Sequence, residues 1–224
     1  LQILREEKID VVSLRTLLEH ARARRPFGRP TVVITIDDDY ANAFRIAAPL
    51  LREYRFPAAF FVYVQDIAKS PEEGLSWEDI DRIRSEGFEI QNHSYSHTAF
   101  HVQVGSESEA EYRGRVAREI ESSRRILETR LPGNQIYAFA YPMGLNSPSL
   151  RRELEQAGYA LLLTTNGKPV DLHAPFTGTL DRFTIQSYYP GYRDAEHMIR
   201  DQIGLSRSTE ASPVAQSEKP TAVH

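Results

Sequence analysis

Residues 31–39 read TVVITIDDD, and this stretch decides the fold because it joins a strand pattern directly to three carboxylates. Every residue of 31–36 is β-branched, and the segment lacks the strict polar alternation of a strand that has one face in water. This pattern predicts a strand buried on both faces. Functional sites of α/β folds lie at the carboxyl ends of parallel strands, so we expect the acidic residues 37–39 to lie in a site. The alternative is a solvated acidic turn that caps a helix beginning near Ala41.

The composition excludes several classes of function. A chain of 224 residues with 41% hydrophobic residues can bury a sizeable core, and one α/β domain is the simplest organisation. The net charge of -4, from 27 basic and 31 acidic residues, gives no electrostatic reason to expect a nucleic-acid partner. The absence of cysteine excludes disulfides, thiolate metal sites and a cysteine nucleophile, and it leaves the cellular compartment open.

No run of about 18 apolar residues occurs, so no transmembrane segment is predicted. The two ends of the chain differ from its middle. The chain begins at Leu1 with neither Met nor a signal sequence, and we expect it to be a segment of a longer precursor. Residues 206–224 lack periodicity and large apolar side chains, which predicts a disordered tail or a linker. Residues 1–205 are predicted to form the domain, with 1–29 as an N-terminal helical lead-in.

Strand and helix patterns alternate along this domain. The predicted strands are 31–36, 58–64, 88–91, 136–141, 159–165 and 180–185. Three predicted helices begin after Ser13, Ser76 and Ser147. Three others cover about 42–54, 107–129 and 194–203. Alternation predicts an α/β fold with a parallel sheet, either open and doubly wound or curled into a barrel. Polar residues follow four of the strands, at 37–39, His93, Tyr141 and 181–182. Such ends converge on one mouth in a barrel, so we favour a barrel with fewer than eight strands.

A second candidate site is the hexapeptide 92–97, NHSYSH. His93 and His97 are four residues apart and would lie on one side of a helical turn, and neutral imidazole is a common Zn²⁺ ligand. With a carboxylate as the third ligand, this set leaves a position open for water, which is the pattern of catalytic zinc sites. The alternative is coincidence, because this spacing also occurs by chance on protein surfaces.

Four segments, in this order and spacing, resemble the motifs of one enzyme family: TIDDDY at 35–40, NHSYSH at 92–97, FAYPMG at 139–144 and LDRFTI at 180–185. They resemble the polysaccharide deacetylases, the NodB-homology domain of carbohydrate esterase family four, over about residues 30–200. The resemblance implies a deformed (β/α) barrel and a metal-dependent hydrolase, usually with Zn²⁺, that removes N-acetyl groups from N-acetylglucosamine polymers. It also implies an extracellular, periplasmic or cell-surface location.

The resemblance assigns roles to individual residues. Asp37 matches the family's catalytic base, and Asp38, His93 and His97 match its metal ligands. The metal would polarise the acetyl carbonyl and lower the pKa of a water whose proton Asp37 takes. The backbone N–H of Met143 would help to stabilise the oxyanion.

The chain departs from the family's pattern at several positions. Asp39 stands where the first motif usually has glycine, and Ala140 stands where the third motif often has arginine. The general-acid histidine has no matching motif, and His173, in a loop at a suitable position, is the candidate. Arg182 is a candidate to orient Asp37 and lower its pKa, although an Asp–Arg pair at 181–182 is also a common surface ion pair.

Two other functions stay open at this point. One is a carbohydrate-binding domain without turnover, in which tyrosines and Trp77 stack on sugar rings, although most aromatic residues of such a chain belong to the core. The other is a deacylase of a different acyl substrate, because short motifs fix the chemistry at the metal better than the substrate. The expected partner is a carbohydrate polymer, which the resemblance implies as substrate.

Overall fold

The computed structural model describes residues 1–38, 41–67, 75–185 and 199–201. Contacts divide the chain into two units, Leu1–Thr184 and Ile185–His224, and the strands and helices given below belong to the first unit. Of the helix predicted near 194–203, only 199–201 are described, and they are helical. The predicted tail 206–224 lies outside the described residues, so the domain boundary at 205 stays a prediction.

The described part of the chain contains short strands and amphipathic helices in alternation. The strands are β1 Asp10–Val11, β2 Thr31–Val32, β3 Ile34–Asp37, β4 Ala58–Val62, β5 Glu89–Asn92, β6 Ala138–Ala140, β7 Leu161–Leu163 and β8 Thr179–Leu180. The α-helices are α1 Gln2–Glu6, α2 Leu14–Arg22, α3 Ala41–Tyr54, α4 Trp77–Ser85, α5 Glu109–Ala117, α6 Ser123–Arg130 and α7 Pro148–Gln156. A π-helical segment, Arg118–Ser122, joins α5 to α6, and Pro142–Gly144 forms a 3₁₀ turn. Among the described helices, none combines the length and the apolarity of a membrane-spanning segment.

Strands β3 to β8 form one sheet in sequential order, and each neighbouring pair is parallel. Strands β1 and β2 form a separate parallel pair. A doubly wound sheet reverses its strand order at a switch point, whereas strands that follow one another in one direction are typical of a barrel. The sheet also curls, because Arg182, just after β8, donates hydrogen bonds to Thr35 and Asp37 on β3 at the other edge. The predicted deformed (β/α) barrel with fewer than eight strands is confirmed.

Side chains of the sheet alternate between two hydrophobic clusters, as the period of a strand requires. In β4, Ala59 and Phe61 belong to the cluster on the concave face, while Phe60 belongs to the larger cluster between the sheet and its helices. Helix α2 packs Leu14 and Leu18 into the concave cluster. The predicted N-terminal lead-in is therefore part of the barrel core, and it contains the strand β1 as well as helices.

Several predicted elements differ in detail from the structure. The strand predicted at 31–36 is divided into β2 and β3, and both are only partly buried, although the sequence predicts burial on both faces. The reason is that β3 is an edge strand of the sheet, and among the described strands it pairs only with β4. The strands buried along their whole length are β4, β6 and β7, which lie inside the sheet. The helix predicted at 107–129 is present, but its middle is the π-helical segment.

Candidate active site

Two carboxylates reach the same site because the backbone changes direction after β3. Asp37 is the last residue of β3, and Asp38 has a φ of 76°. Successive side chains of a strand point to opposite faces, and the left-handed conformation of Asp38, which aspartate adopts more readily than most residues, breaks that alternation. As a result Asp37 Oδ2 lies 3.9 Å and Asp38 Oδ1 lies 3.6 Å from His93 Nε2.

Arg182 binds the Asp37 carboxylate with both arms of its guanidinium group. Nη1 donates to Asp37 Oδ1 and Nη2 donates to Oδ2, each at 2.7 Å. Arg182 is fixed in turn, because Nη1 also donates to Thr35 Oγ1 at 3.0 Å and Nε donates to the Thr164 carbonyl at 3.1 Å. Asp181 does not take part in this pair, since its Oδ1 accepts from Thr164 Oγ1 at 2.5 Å. The interpretation of 181–182 as a surface ion pair is therefore not supported.

The ion pair between Arg182 and Asp37 sets the charge of the site. The Arg182 side chain is 12% exposed and that of Asp37 is 26% exposed. Burial raises the pKa of Asp37, but Arg182 and then His93 lower it by more, so the net pKa lies below the usual value. Asp37 is consequently a carboxylate at neutral pH and has an acceptor oxygen next to the histidines.

His93 follows β5 and is almost completely buried. Its Nδ1 lies 2.8 Å from the carbonyl oxygen of Ala140, on the neighbouring strand β6. A carbonyl can only accept, so Nδ1 carries the proton and Nε2 presents its lone pair toward Asp38. A histidine held in this tautomer by a carbonyl is the usual state of a metal ligand.

His97 approaches His93 through a bend and not through the helical turn that the spacing predicts. In residues 93–97, which we call the histidine bend, Ser94 has a φ of 83° and His97 has a φ of 56°. Right-handed helices exclude such angles, so this part of the prediction is wrong. The bend is closed instead by side chains: the N–H of His97 donates to Ser94 Oγ at 2.9 Å. The two imidazole rings lie with their centroids 4.8 Å apart.

Asp38, His93 and His97 form a group whose ligand atoms all lie within 4.8 Å of one another. Asp38 Oδ1 lies 3.1 Å from His97 Nε2 and 3.6 Å from His93 Nε2. A tetrahedral Zn²⁺ site with ligands about 2.0–2.1 Å from the ion has ligand atoms roughly 3.3 Å apart. Burial and then His93 lower the pKa of His97, against the opposing effect of Asp38 and Asp37, which favours the neutral imidazole that metals bind. Two imidazoles and one carboxylate at these distances fit a divalent metal ion.

Met143 lies in the turn Pro142–Gly144, which follows β6, the strand whose Ala140 carbonyl contacts His93. Its φ is 56°, its side chain is exposed, and its backbone N–H makes no hydrogen bond to another residue that the structure describes. Gly144 follows with a φ of 72°, and a Cβ at this position would lie 2.0 Å from Thr165 Oγ1. Only glycine fits at 144, and the close approach of Thr165 fixes the turn that presents the Met143 N–H.

Two other predicted positions are less informative. His173 is exposed, and its backbone N–H donates to Asp171 Oδ1 at 2.9 Å. Its proposed role as general acid stays a prediction. Asp39 lies outside the described residues.

Three buried polar residues to which the motifs assign no role support the histidine bend. Asn92, Glu119 and Ser123 are each at most 3% exposed. Glu119 and Ser123 occur in the segment 116–127, where Val116, Ile120 and Leu127 form the apolar stripe, and their helical spacing places them on that same buried face. A charged or hydroxyl residue on the apolar stripe of an amphipathic helix therefore indicates, from sequence alone, a buried polar residue with a partner elsewhere in the fold.

Comparison with known proteins gives a consistent family and fold. A family model described as polysaccharide deacetylase matches residues 24–162, which include β3, the histidine bend and the turn at Met143. The Streptococcus pyogenes deacetylase PplD, solved in complex with acetate, is 18% identical, with a TM-score of 0.75 over 90% of this chain and 83% of that chain. IcaB from Ammonifex degensii is 19% identical, with a TM-score of 0.73 over 89% of this chain and 85% of that chain. At these identities the similarity to the solved structures concerns the fold.

A curated relative covers a smaller part of the chain. The Bacillus subtilis protein YxkH is 22% identical over 134 residues, which are 60% of this chain and 44% of YxkH. This chain therefore aligns with less than half the length of that relative.

Proposed function

The chain belongs to the polysaccharide deacetylase family, and from this premise we propose that it is a metal-dependent hydrolase that removes N-acetyl groups from an N-acetylglucosamine-containing polysaccharide. One observation carries the proposal: Asp38, His93 and His97 offer ligand atoms within 4.8 Å of one another, and the carboxylate of Asp37 lies beside them. Three protein ligands with an adjacent base are the requirements of metal-assisted hydrolysis. The family membership supports the acetylated carbohydrate as substrate.

Asp38, His93 and His97 would hold the metal, and two imidazoles with one carboxylate are a ligand set that suits Zn²⁺. When bound, a divalent ion at this position supplies Lewis acidity to the substrate carbonyl and lowers the pKa of water. The protein prepares the ligands in advance, because the Ala140 carbonyl holds His93 in the tautomer with Nε2 free. Such an arrangement reduces the reorganisation that metal binding requires.

Asp37 is the proposed general base. It is ionised, it lies one residue before the ligand Asp38, and its two oxygens are oriented by Arg182. In the proposed step Asp37 accepts the proton of the attacking water as the water adds to the amide carbon. Arg182 keeps Asp37 from protonation in the resting state and holds it in one orientation, so it is a positioning residue in this scheme.

The Met143 N–H is the proposed donor to the carbonyl oxygen as negative charge develops on it. A backbone N–H that is already oriented needs no rearrangement in the transition state, and the loss of one such donor lowers kcat by about 10²–10³-fold. The turn Pro142–Gly144 and the contact of Gly144 with Thr165 keep the donor in place. The family resemblance also supports a location outside the cytoplasm, which we propose for this protein.

The proposal is tested by acetate release from N-acetylglucosamine oligomers. Purified protein is measured as isolated, after removal of metal with a chelator, and after addition of Zn²⁺, with metal content determined by mass spectrometry. We expect about one metal ion per chain, loss of acetate release with the chelator and its recovery with Zn²⁺. Oligomer binding without acetate release at saturating Zn²⁺ would show instead a carbohydrate-binding domain. Release only from other acyl compounds would show a different deacylase.

A further inference from the structure

Glu119 is a buried charged residue that the proposed chemistry does not use. It is 3% exposed and lies in the π-helical segment Arg118–Ser122. Glu119 Oε2 accepts hydrogen bonds from the backbone N–H groups of Tyr95, at 3.0 Å, and Ser96, at 2.9 Å, while Oε1 accepts from the Ser96 hydroxyl at 2.7 Å. A buried carboxylate is destabilising unless such donors surround it, so the three bonds account for its tolerance in the core.

The three donors all belong to the middle of the histidine bend. Tyr95 and Ser96 stand between the two histidines, where the positive φ angles of Ser94 and His97 prevent the bend from forming helical hydrogen bonds. The bend therefore depends on partners from elsewhere in the fold. His93, at the start of the bend, donates from its backbone N–H to the Val62 carbonyl at 2.9 Å, and the Tyr95 carbonyl accepts from the N–H of Gln65 at 2.8 Å. The Glu119 carboxylate is the partner of the Tyr95 and Ser96 N–H groups.

We propose that Glu119 is a positioning residue of the metal site, which fixes the histidine bend so that His97 Nε2 lies against Asp38 Oδ1. The distance between these two ligand atoms is 3.1 Å, and it depends on the backbone between His93 and His97. A change at Glu119 leaves all three ligand side chains intact and changes only how they are held. The inference rests on the proposed function, because it concerns the same metal site.

The helix that carries Glu119 also holds the start of the bend. Ser123 Oγ donates to the Glu119 carbonyl at 2.6 Å, which satisfies an acceptor in the π-helical segment. Asn92 Nδ2 donates to Ser123 Oγ at 2.8 Å, and Asn92 Oδ1 accepts from the Ser94 N–H at 2.9 Å. Because π-helical turns occur often at functional sites, their presence here agrees with a role for this helix in the site.

Two substitutions separate positioning from mere stability. Glu119→Ala removes all three hydrogen bonds to the bend. Glu119→Gln keeps the shape, since its Oε1 can accept from both N–H groups and its amide can donate to the Ser96 hydroxyl. The matched control is Gln91→Ala: Gln91 is 1% exposed, and its Oε1 accepts from the N–H groups of Tyr137 and Ala138, which are not part of the bend.

The measurement is the affinity of metal-free protein for Zn²⁺, by competition with a chromophoric chelator, together with the melting temperature without metal. We expect Glu119→Ala to bind Zn²⁺ about 10–100-fold more weakly and Glu119→Gln to bind nearly as wild type. Gln91→Ala should have a lower melting temperature and an unchanged affinity. Hydrogen exchange at Tyr95 and Ser96 should be faster in Glu119→Ala than in Gln91→Ala.

Different outcomes contradict different parts of the argument. If wild-type protein binds no Zn²⁺, the proposed function is wrong and the positioning role is wrong with it. If wild type binds Zn²⁺ and Glu119→Ala binds it equally tightly, only the positioning role is wrong. If Glu119→Ala does not fold, Glu119→Asp takes its place, because its shorter carboxylate cannot reach all three donors. Affinity of Glu119→Asp equal to wild type would then overturn the inference.

Discussion

Replacement of Asp37 by asparagine separates proton transfer from metal binding. Asparagine has the size of aspartate but cannot serve as a general base at neutral pH. Loss of a positioned base lowers turnover by about 10²–10⁴-fold. At about 1.4 kcal/mol for each tenfold change, this corresponds to roughly 3–5 kcal/mol of transition-state stabilisation. Metal content should stay at the wild-type value, because the ligand group consists of Asp38 and the two histidines.

The structure limits how much Asp37→Asn can disturb the fold. Asp37 accepts two hydrogen bonds of 2.7 Å from Arg182. Asparagine keeps one acceptor and turns its amide N–H₂ toward a guanidinium nitrogen, so one hydrogen bond to a charged group is lost. Such a bond contributes about 1.5–3 kcal/mol. A typical domain is stable by about 5–15 kcal/mol, so we expect the variant to remain folded.

Asp38→Asn is the control, since it makes the same chemical change one residue later. It removes the charged ligand of the proposed site, so we expect weaker metal binding and an activity that excess Zn²⁺ partly restores. The activity of Asp37→Asn should not respond to excess Zn²⁺. Acetate release at several Zn²⁺ concentrations, metal content and thermal unfolding distinguish the two variants. Metal lost from Asp37→Asn and kept by Asp38→Asn would refute the assignment and exchange the two roles.

Two further substitutions test the groups around these carboxylates. Burial raises the pKa of Asp37 and Arg182 lowers it, so the pKa should rise in Arg182→Ala. The acidic limb of the kcat/KM profile should therefore move to higher pH, with metal content unchanged. An acidic limb at the wild-type pH would contradict the role of Arg182. In Gly144→Ala a Cβ would lie 2.0 Å from Thr165 Oγ1 at a φ of 72°, so we expect about 1–3 kcal/mol of destabilisation and a lower kcat without loss of Zn²⁺ affinity. Urea unfolding measures the first effect, and wild-type stability would show that the turn adapts.

The sequence predicts the fold and the members of the site well where the signal is local. The alternation of strands and helices indicates a barrel, and the sequential order of β3 to β8 confirms it. Polar residues after strand ends indicate the site, and the structure places Asp37, Asp38, His93, His97 and Arg182 together there. Both signals depend on a few neighbouring residues and on a general property of parallel sheets.

The conformation of the histidine bend could not be predicted from spacing alone. A separation of four residues fits a helical turn as well as a bend, and the angles of Ser94 and His97 exclude the helix. The choice depends on Glu119, which is distant in the sequence and becomes a neighbour only after α5 and α6 pack against the sheet. Partial burial of β3 has a similar origin, because the position of a strand at the edge of a sheet is a property of the whole topology.

The backbone of the site shows why these distant partners are necessary. Of the seven non-glycine residues with positive φ in the described part of the chain, three belong to the site or its histidine bend: Asp38, Ser94 and His97. Each such residue costs on the order of 1–3 kcal/mol and persists only where its surroundings hold it. For the histidine bend, the two strained residues together cost roughly 2–6 kcal/mol. Three hydrogen bonds to a charged acceptor contribute about 1.5–3 kcal/mol each, which is enough to offset that strain. The geometry of the ligands therefore depends on the buried Glu119. The hexapeptide motif contains the strained residues Ser94 and His97, but the residue that compensates their strain lies in a distant helix, so the motif alone cannot specify the geometry.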